Sequence, residues 1–192
     1  MNQPQIVLGN PIEHSIVFAG PFGVGKTTAL RSVSDIPVVN TDVASTKMLA
    51  DVPSKHTTTV GFDYGEWHFP EGKRVSLIGI PGQNRFEAIW DLFLSRSSAV
   101  VLWVFGERST GLSECRDWLE ILACRGAISN LSIAVTRVNP EHTEPVLESF
   151  RELIAKYNNF APVMIADPRK PTDVIQTITM ALSSPATKTG PL

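Results

Sequence analysis

Hydrophobic and polar positions follow two periods along the chain, one typical of strands and one of helices. Short apolar or β-branched segments predict six strands, at 15–19, 61–69, 73–80, 99–105, 131–138 and 161–166. Apolar residues spaced three and four apart predict five helices, at 26–34, 85–96, 112–125, 144–157 and 172–182. Strands that alternate with helices predict a three-layer α/β domain, with a six-stranded sheet between two layers of helices. The second strand should be antiparallel and the others parallel.

Composition narrows the class of protein. The 192 residues are 43% hydrophobic and 19% charged, which is typical of a globular domain. A net charge of −2 gives no footprint for nucleic acid. The longest apolar run, Ala99–Phe105, is far shorter than the roughly 20 residues of a membrane helix, so no integral membrane segment is expected. Cys115 and Cys124 fall on opposite sides of one predicted helix, which favours free thiols in a reducing cytoplasm.

The strongest chemical signal is a glycine-rich loop between the first predicted strand and helix. Residues 20–27, GPFGVGKT, fit the pattern G-x-x-x-x-G-K-[ST] in full. Such a loop curls so that backbone N–H groups face phosphate oxygens, while its Lys binds the β- and γ-phosphates and its hydroxyl binds Mg²⁺. The motif predicts nucleoside triphosphate binding with Thr27 as a metal ligand, by Gly20, Gly23, Val24, Gly25, Lys26, Thr27 and Thr28.

Two further segments narrow the choice among P-loop proteins. Residues 57–65, TTTVGFDYG, contain a Thr-x-Gly element, and residues 79–86, GIPGQNRF, contain a Pro-Gly-Gln element. With the P-loop, their order and spacing resemble those of Ras-like small GTPases, and within these the bacterial MglA-type small GTPases. The resemblance covers about residues 13 to 182.

This resemblance implies a molecular switch, in which two loops close around the γ-phosphate and are released after hydrolysis. Thr59 would bind Mg²⁺ and the γ-phosphate, although Thr57 and Thr58 leave that assignment ambiguous by a residue. The Gly82 N–H would bind the γ-phosphate, and Gln83 would orient the attacking water. The implied catalytic set is Gln83, Lys26 and Thr59, with Thr27 and Thr59 as metal ligands.

One departure concerns the metal. Ras-like proteins carry a Walker-B aspartate where this chain has Gly79. Mg²⁺ tolerates a shell rich in water, so Thr27, Thr59, phosphates and waters could still hold it. Asp63 and Asp42 are candidate substitutes, although the pattern assigns Asp63 to the strand after the first switch and Asp42 to the front of that switch.

A second departure concerns the base. The family reads guanine with Asn/Thr-Lys-x-Asp, and this chain has Thr136-Arg137-Val138-Asn139 at that place. An amide offers one acceptor and two donors, so Asn139 would leave one guanine donor unsatisfied, unless Glu141 replaces it. The second base loop aligns on Ala166, whose N–H would meet the guanine carbonyl. The expected base contacts are therefore Thr136, Arg137, Asn139 and Ala166.

The resulting hypothesis is a small GTPase that binds GTP and GDP with Mg²⁺, hydrolyses GTP slowly and signals through nucleotide-dependent partner binding. A G domain at 13–184 would contain the P-loop, switch I at about 40–61 and switch II at about 79–96, between an N-terminal extension (1–12) and a disordered tail (185–192). The resemblance implies a roadblock-type regulator or a sensor-kinase complex as partner, either of which could hold this cytoplasmic protein at a membrane. The alternatives are a pseudo-GTPase scaffold without turnover and a small P-loop kinase.

Overall fold

The computed structural model describes residues 12–40, 61–69 and 72–183. They form seven strands and five α-helices. The strands are β1 (Ile12–Ala19), β2 (Val39–Asn40), β3 (Asp63–His68), β4 (Arg74–Gly79), β5 (Ala99–Phe105), β6 (Leu131–Thr136) and β7 (Val163–Ile165). The helices are α1 (Lys26–Val33), α2 (Glu87–Leu94), α3 (Gly111–Cys124), α4 (Thr143–Ile154) and α5 (Pro171–Ser183). Short 3₁₀ turns, Asn84–Phe86 and Pro140–His142, precede α2 and α4.

All seven strands join one sheet in the order β2-β3-β4-β1-β5-β6-β7. The pairs β2/β3 and β3/β4 are antiparallel, and the pairs from β4 to β7 are parallel. This confirms the α/β class and the antiparallel strand after switch I. The expected count of six strands was wrong by one, because Val39 and Asn40 pair with Tyr64 and Asp63 to form β2. A two-residue strand carries no periodicity that a sequence could reveal.

Two apolar clusters fill the space on the two faces of the sheet. One cluster packs α2, α3 and α4 against the sheet, and the other packs α1 and α5 against the opposite face. Strand β5 is buried along its whole length, as predicted. Its side chains alternate between the clusters: Val100, Leu102 and Val104 face one, and Val101 and Trp103 the other.

Three predicted segments end at least two residues earlier than their patterns suggested, among them the helix expected at 144–157, which ends at Ile154. The helix expected at 85–96 starts as a 3₁₀ turn and its α-helical part ends at Leu94. The strand expected at 131–138 ends at Thr136, because Arg137 adopts a positive φ of 56°. The two cysteines are free, as expected: Cys115 is buried and Cys124 is exposed. Burial raises the pKa of the Cys115 thiol to about 12.

Parallel strands bring their carboxyl ends to one edge of a sheet, where α/β proteins bind ligands. Strands β1 and β6 each end there in a segment with predicted chemistry, namely the P-loop and the Thr136–Asn139 segment. The sheet therefore gathers both predicted halves of a nucleotide site at one edge.

Candidate nucleotide-binding site

The P-loop connects β1 to the N-terminus of α1, as predicted. Gly20, Gly23 and Gly25 all have positive φ, a conformation that other residues rarely adopt. Gly25, with φ of 118°, also lies against the loop after β7, since a Cβ on it would come 2.8 Å from Pro168 Cγ. The loop therefore has the tight curvature that phosphate binding requires, and it contacts a second loop directly.

Lys26 is held inside this curve. Its Nζ donates to the carbonyl oxygens of Gly20 at 2.6 Å and Pro21 at 2.8 Å, and the residue is only 9% exposed. Burial lowers the pKa of the ammonium to about 8, against the opposing effect of the nearby Asp63 charge. The cation is therefore fixed at the loop and poorly solvated, so an anionic ligand would compensate it.

Thr27 and Asp63 form a pair beside Lys26. The Thr27 hydroxyl donates a short hydrogen bond to Asp63 Oδ2. Asp63 is the first residue of β3 and lies opposite Gly79 in the antiparallel ladder. A Cβ on Gly79 would come 3.2 Å from both Cβ and Oδ2 of Asp63. Asp63 therefore places a carboxylate close to where the side chain of an aspartate at position 79 would lie.

This pair fits Mg²⁺, which prefers oxygen ligands and retains several waters. A hydroxyl and a carboxylate beside a phosphate loop are such a donor set. Among residues 12–40, 61–69 and 72–183, no group of three or more His, Cys, Asp or Glu side chains could hold a metal ion. A metal at Thr27 and Asp63 would therefore depend on phosphate oxygens and water. The predicted ligand Thr59 lies outside the described residues, as does Asp42.

The segment predicted as switch II packs on the P-loop. A Cβ on Gly82 would come 2.6 Å from both the Gly20 oxygen and the Phe22 nitrogen, so only glycine fits here without a shift. Trp90 of α2 donates from Nε1 to the Pro81 oxygen at 2.7 Å, which ties the segment to the core. A sequence gives no sign of this tether, since it depends on how α2 packs.

Beside this contact, the P-loop and this segment together line a cavity of about 380 Å³. Lys26, Thr27, Asp63, Gly82 and Gln83 all line it. The predicted phosphate, metal and water-orienting residues in the described part of the chain are thus brought together. The arrangement can bind phosphate groups at a cation and a carboxylate–hydroxyl pair.

On the other side of the P-loop, Arg137 bridges two loops. Its Nη2 donates to the Gly23 oxygen at 3.0 Å, and its guanidinium lies 4.9 Å from the centre of the Phe105 ring. Thr136 is buried at the end of β6. Both residues line a second cavity of about 480 Å³, beside Val24, Gly25 and Thr28 of the P-loop and α1. The cavity on the expected base side therefore shares Gly25 and Thr28 with the cavity at the phosphate loop.

Two of the expected base contacts are used otherwise. The Ala166 N–H donates to the Val135 oxygen at 2.9 Å, so it belongs to the ladder between β7 and β6 and is not free for a guanine carbonyl. Asn139 Oδ1 accepts from the Glu141 N–H at 3.1 Å and caps the 3₁₀ turn. Asn139, although within the described part of the chain, is not among the residues that line the second cavity.

Sequence reasoning missed the acidic and basic groups of this cavity. Asp167, Pro168, Arg169, Lys170 and Asp173 form much of its wall, and they belong to the loop after β7 and the start of α5. The predicted contact Ala166 lines the cavity as well, directly before these residues. A run of Asp, Arg and Lys next to the second base loop was the available signal.

Comparisons with known proteins bear on the fold. No protein-family model matches the chain, and no curated protein matches it in sequence. Among solved structures, the bacterial selenocysteine-specific elongation factor EF-Sec superposes with a TM-score of 0.63 at 18% identity. The superposition covers 91% of this chain and 29% of that protein, so the chain corresponds to less than a third of its length. At this identity the likeness establishes the fold alone.

No helix in the described ranges of the chain has both the length and the apolar character needed to cross a membrane.

Proposed function

We propose that this protein is a small GTPase, a switch that binds GTP and GDP with Mg²⁺ and hydrolyses GTP slowly. The observation that carries the proposal is the meeting of three elements around one cavity: the buried Lys26, the Thr27–Asp63 pair and the Gly82–Gln83 segment. A cation and a hydroxyl–carboxylate pair suit the β- and γ-phosphates and their metal. The Pro-Gly-Gln segment packs on the P-loop, as expected for a switch that responds to the γ-phosphate.

The proposed mechanism assigns one task to each group. Lys26 would donate to phosphate oxygens, and Thr27 and Asp63 would hold Mg²⁺, which would neutralise charge that develops on the phosphates. Gln83 orients the water that attacks the γ-phosphate. Thr59, from the resemblance, closes the site from the other switch. No arginine is assigned to the transferring phosphate, and because such an arginine is worth about 10³–10⁵ in rate, slow turnover is expected.

A pseudo-GTPase scaffold is the main alternative, and Gly79 was the strongest reason for it. The contact between Asp63 and Thr27 weakens that reason, because a carboxylate is present beside the metal position. The two functions now differ mainly in turnover. The small-kinase alternative gains no support from the described residues.

Nucleotide-dependent partner binding is proposed from the surface around the switch. Phe22 at the rim of the P-loop is 72% exposed, and Leu92 on α2 is 49% exposed. Large apolar side chains next to elements that respond to nucleotide are suited to a protein partner. A roadblock-type regulator or a sensor-kinase complex, as the resemblance implies, would bind here, and a cytoplasmic protein could reach a membrane through either.

Two measurements on the purified protein test this proposal. Chromatography of the supernatant after heat denaturation should identify bound GDP. Single-turnover reactions should convert GTP to GDP slowly with Mg²⁺ and not at all with EDTA. Bound ADP or ATP would contradict the guanine assignment, and GTP that stays intact with Mg²⁺ would favour the scaffold.

A further inference from the structure

The loop after β7 is built as part of the nucleotide cavity rather than as a surface connection. Pro168 lies against Gly25 of the P-loop, where an added Cβ would come within 2.8 Å of its ring. Asp167, Arg169 and Lys170 line the same cavity as Thr28, Thr136 and Arg137. A base attached to phosphates at Lys26 would therefore extend toward this loop.

The backbone of this loop has no N–H left for a base. The N–H of Asp167 donates to Asp173 Oδ2 at 3.0 Å, and that of Arg169 to Asp167 Oδ1 at 3.0 Å. The N–H of Lys170 donates to the Asp167 carbonyl oxygen at 3.0 Å, Ala166 is bonded to Val135, and proline has none. A base carbonyl at this loop must therefore accept from a side chain.

Asp167 and Arg169 form a planar side-chain pair at this place. Arg169 Nη2 donates to Asp167 Oδ2 at 2.7 Å, and Arg169 Nε to Asp167 Oδ1 at 2.9 Å. The Arg169 guanidinium lowers the pKa of the Asp167 carboxyl to about 2, so the carboxylate stays ionised at neutral pH. The Arg169 side chain is 79% exposed, whereas that of Asp167 is 23% exposed. Arg169 can therefore shift toward a ligand while Asp167 stays in the wall.

The Watson–Crick edge of guanine presents a carbonyl acceptor, a ring N–H donor and an amine donor. In the free protein both Asp167 oxygens accept from Arg169. Once the exposed Arg169 swings out of this contact, the two residues present the complementary order, one guanidinium donor and two carboxylate acceptors. We propose that Asp167 and Arg169 read guanine in this protein, with Asp167 accepting from the ring N–H and the amine and Arg169 donating to the carbonyl oxygen. The inference rests on the proposed function, because it requires nucleotide phosphates at the P-loop.

The pair also predicts which bases are rejected. Xanthine carries an oxygen where guanine carries the amine, so it would point an acceptor at the Asp167 carboxylate. Adenine offers one donor and one acceptor on the same edge and leaves part of the pair unsatisfied. The expected order of affinity is GDP first, then ADP and XDP.

Competition binding of GDP, XDP and ADP, with pyrophosphate as a probe of the P-loop alone, tests this assignment. Asp167→Asn keeps an oxygen for the Arg169 N–H and replaces the other by a donor. It should lower the affinity for GDP by about 10- to 100-fold, raise the affinity for XDP and leave the affinity for pyrophosphate unchanged. Arg169→Gln should lower the affinity for GDP without raising the affinity for XDP. Asp117→Asn, at an exposed carboxylate of α3 outside the cavity, is the matched control, whereas Glu141→Ala tests base reading by the loop after β6 and should leave the affinities unchanged.

The outcomes separate the two proposals. If wild-type protein binds pyrophosphate and GDP but Asp167→Asn keeps the wild-type ratio of GDP to XDP affinity, the Asp167 assignment is wrong and the GTPase proposal stands. A change of that ratio in Glu141→Ala alone would move base reading to the loop after β6 and overturn the assignment as well. If wild type binds no nucleotide and no pyrophosphate, the proposed function itself fails. Thermal melting of each variant verifies that a loss of affinity is not a loss of fold.

Discussion

The phosphate side and the base side of the cleft each lack one aspartate of the Ras-like pattern, and they differ in what stands in its place. On the phosphate side, Asp63 lies opposite Gly79 in the β3/β4 ladder and contacts Thr27. On the base side, Asn139 caps a turn outside the cavity, and the acids of the cavity wall belong to a different loop.

The difference reflects how a sheet and a loop each fix the position of a side chain. Cross-strand neighbours lie about 4.5–5.5 Å apart, so a residue on the paired strand can present the same group at nearly the same point. A loop has no such register, so the replacement comes from another segment and arrives with another partner, here Arg169. We expect the phosphate side to behave as in the Ras-like family and the base side to follow its own rules.

The largest expected effect separates the two sides. Lys26→Ala should weaken the binding of GDP, ADP and pyrophosphate alike, by about 100-fold or more. The substitution removes the buried cation that the phosphates of all three ligands would contact. Isothermal titration measures all three. Lys73→Ala removes a half-exposed lysine just before β4 and serves as the control. Affinities within about threefold of wild type would show that the P-loop does not bind these phosphates.

Gln83→Leu should act on the phosphate side alone and on rate rather than affinity. We expect GDP binding to persist and single-turnover hydrolysis to slow by about 10²-fold, because the attacking water is no longer oriented. Asn84→Leu alters the exposed next residue, which begins the 3₁₀ turn, and should leave the rate unchanged. Equal rates for wild type and Gln83→Leu, both alone and with an activating partner, would show that Gln83 is not catalytic.

Proton uptake on ligand binding reports the protonation state of Lys26. Burial lowers its pKa to about 8 in the free protein, and bound phosphates should raise it again. Binding should then take up about 0.9 proton at pH 9 and almost none at pH 7, with affinity falling up to about tenfold per pH unit above pH 8. Titrations in buffers of different ionisation enthalpy measure this number. An uptake near zero at pH 9 would mean that Lys26 is charged throughout.

The smallest expected effect is on the base side. Asn139→Asp restores the family aspartate, yet the side chain caps the 3₁₀ turn and a carboxylate can do the same. We expect GDP and XDP affinities to stay within about threefold of wild type. A marked gain for GDP, measured by competition with a fluorescent nucleotide, would show that position 139 turns into the cavity and reads the base.

The sequence predicted what depends on local pattern. Residues 20–27 fit a complete motif, and the apolar run of β5 and the five helices predicted from apolar spacing agree with the structure. The role of Asp63 depends on its register against Gly79, sixteen positions away, which no local pattern reveals. The Ala166 N–H was assigned to a ligand because a short alignment cannot show that a β7 ladder already uses it. Strand β2 was missed for the same reason, since pairing alone defines it.

Exchange of the two residues in the β3/β4 ladder tests the central claim, that Asp63 supplies the carboxylate missing at Gly79. Removing the carboxylate in Asp63→Gly should weaken Mg²⁺-dependent GDP binding by about 10- to 100-fold. Adding Gly79→Asp to that variant should restore it, because residue 63 then leaves room for the new side chain. Gly79→Asp alone should not help, since its Cβ would lie 3.2 Å from Asp63 Oδ2. The Mg²⁺ dependence of GDP affinity in all four proteins is the measurement. Recovery in the exchanged protein is the predicted result, and an Asp63→Gly variant that binds GDP and responds to Mg²⁺ like wild type would contradict the account.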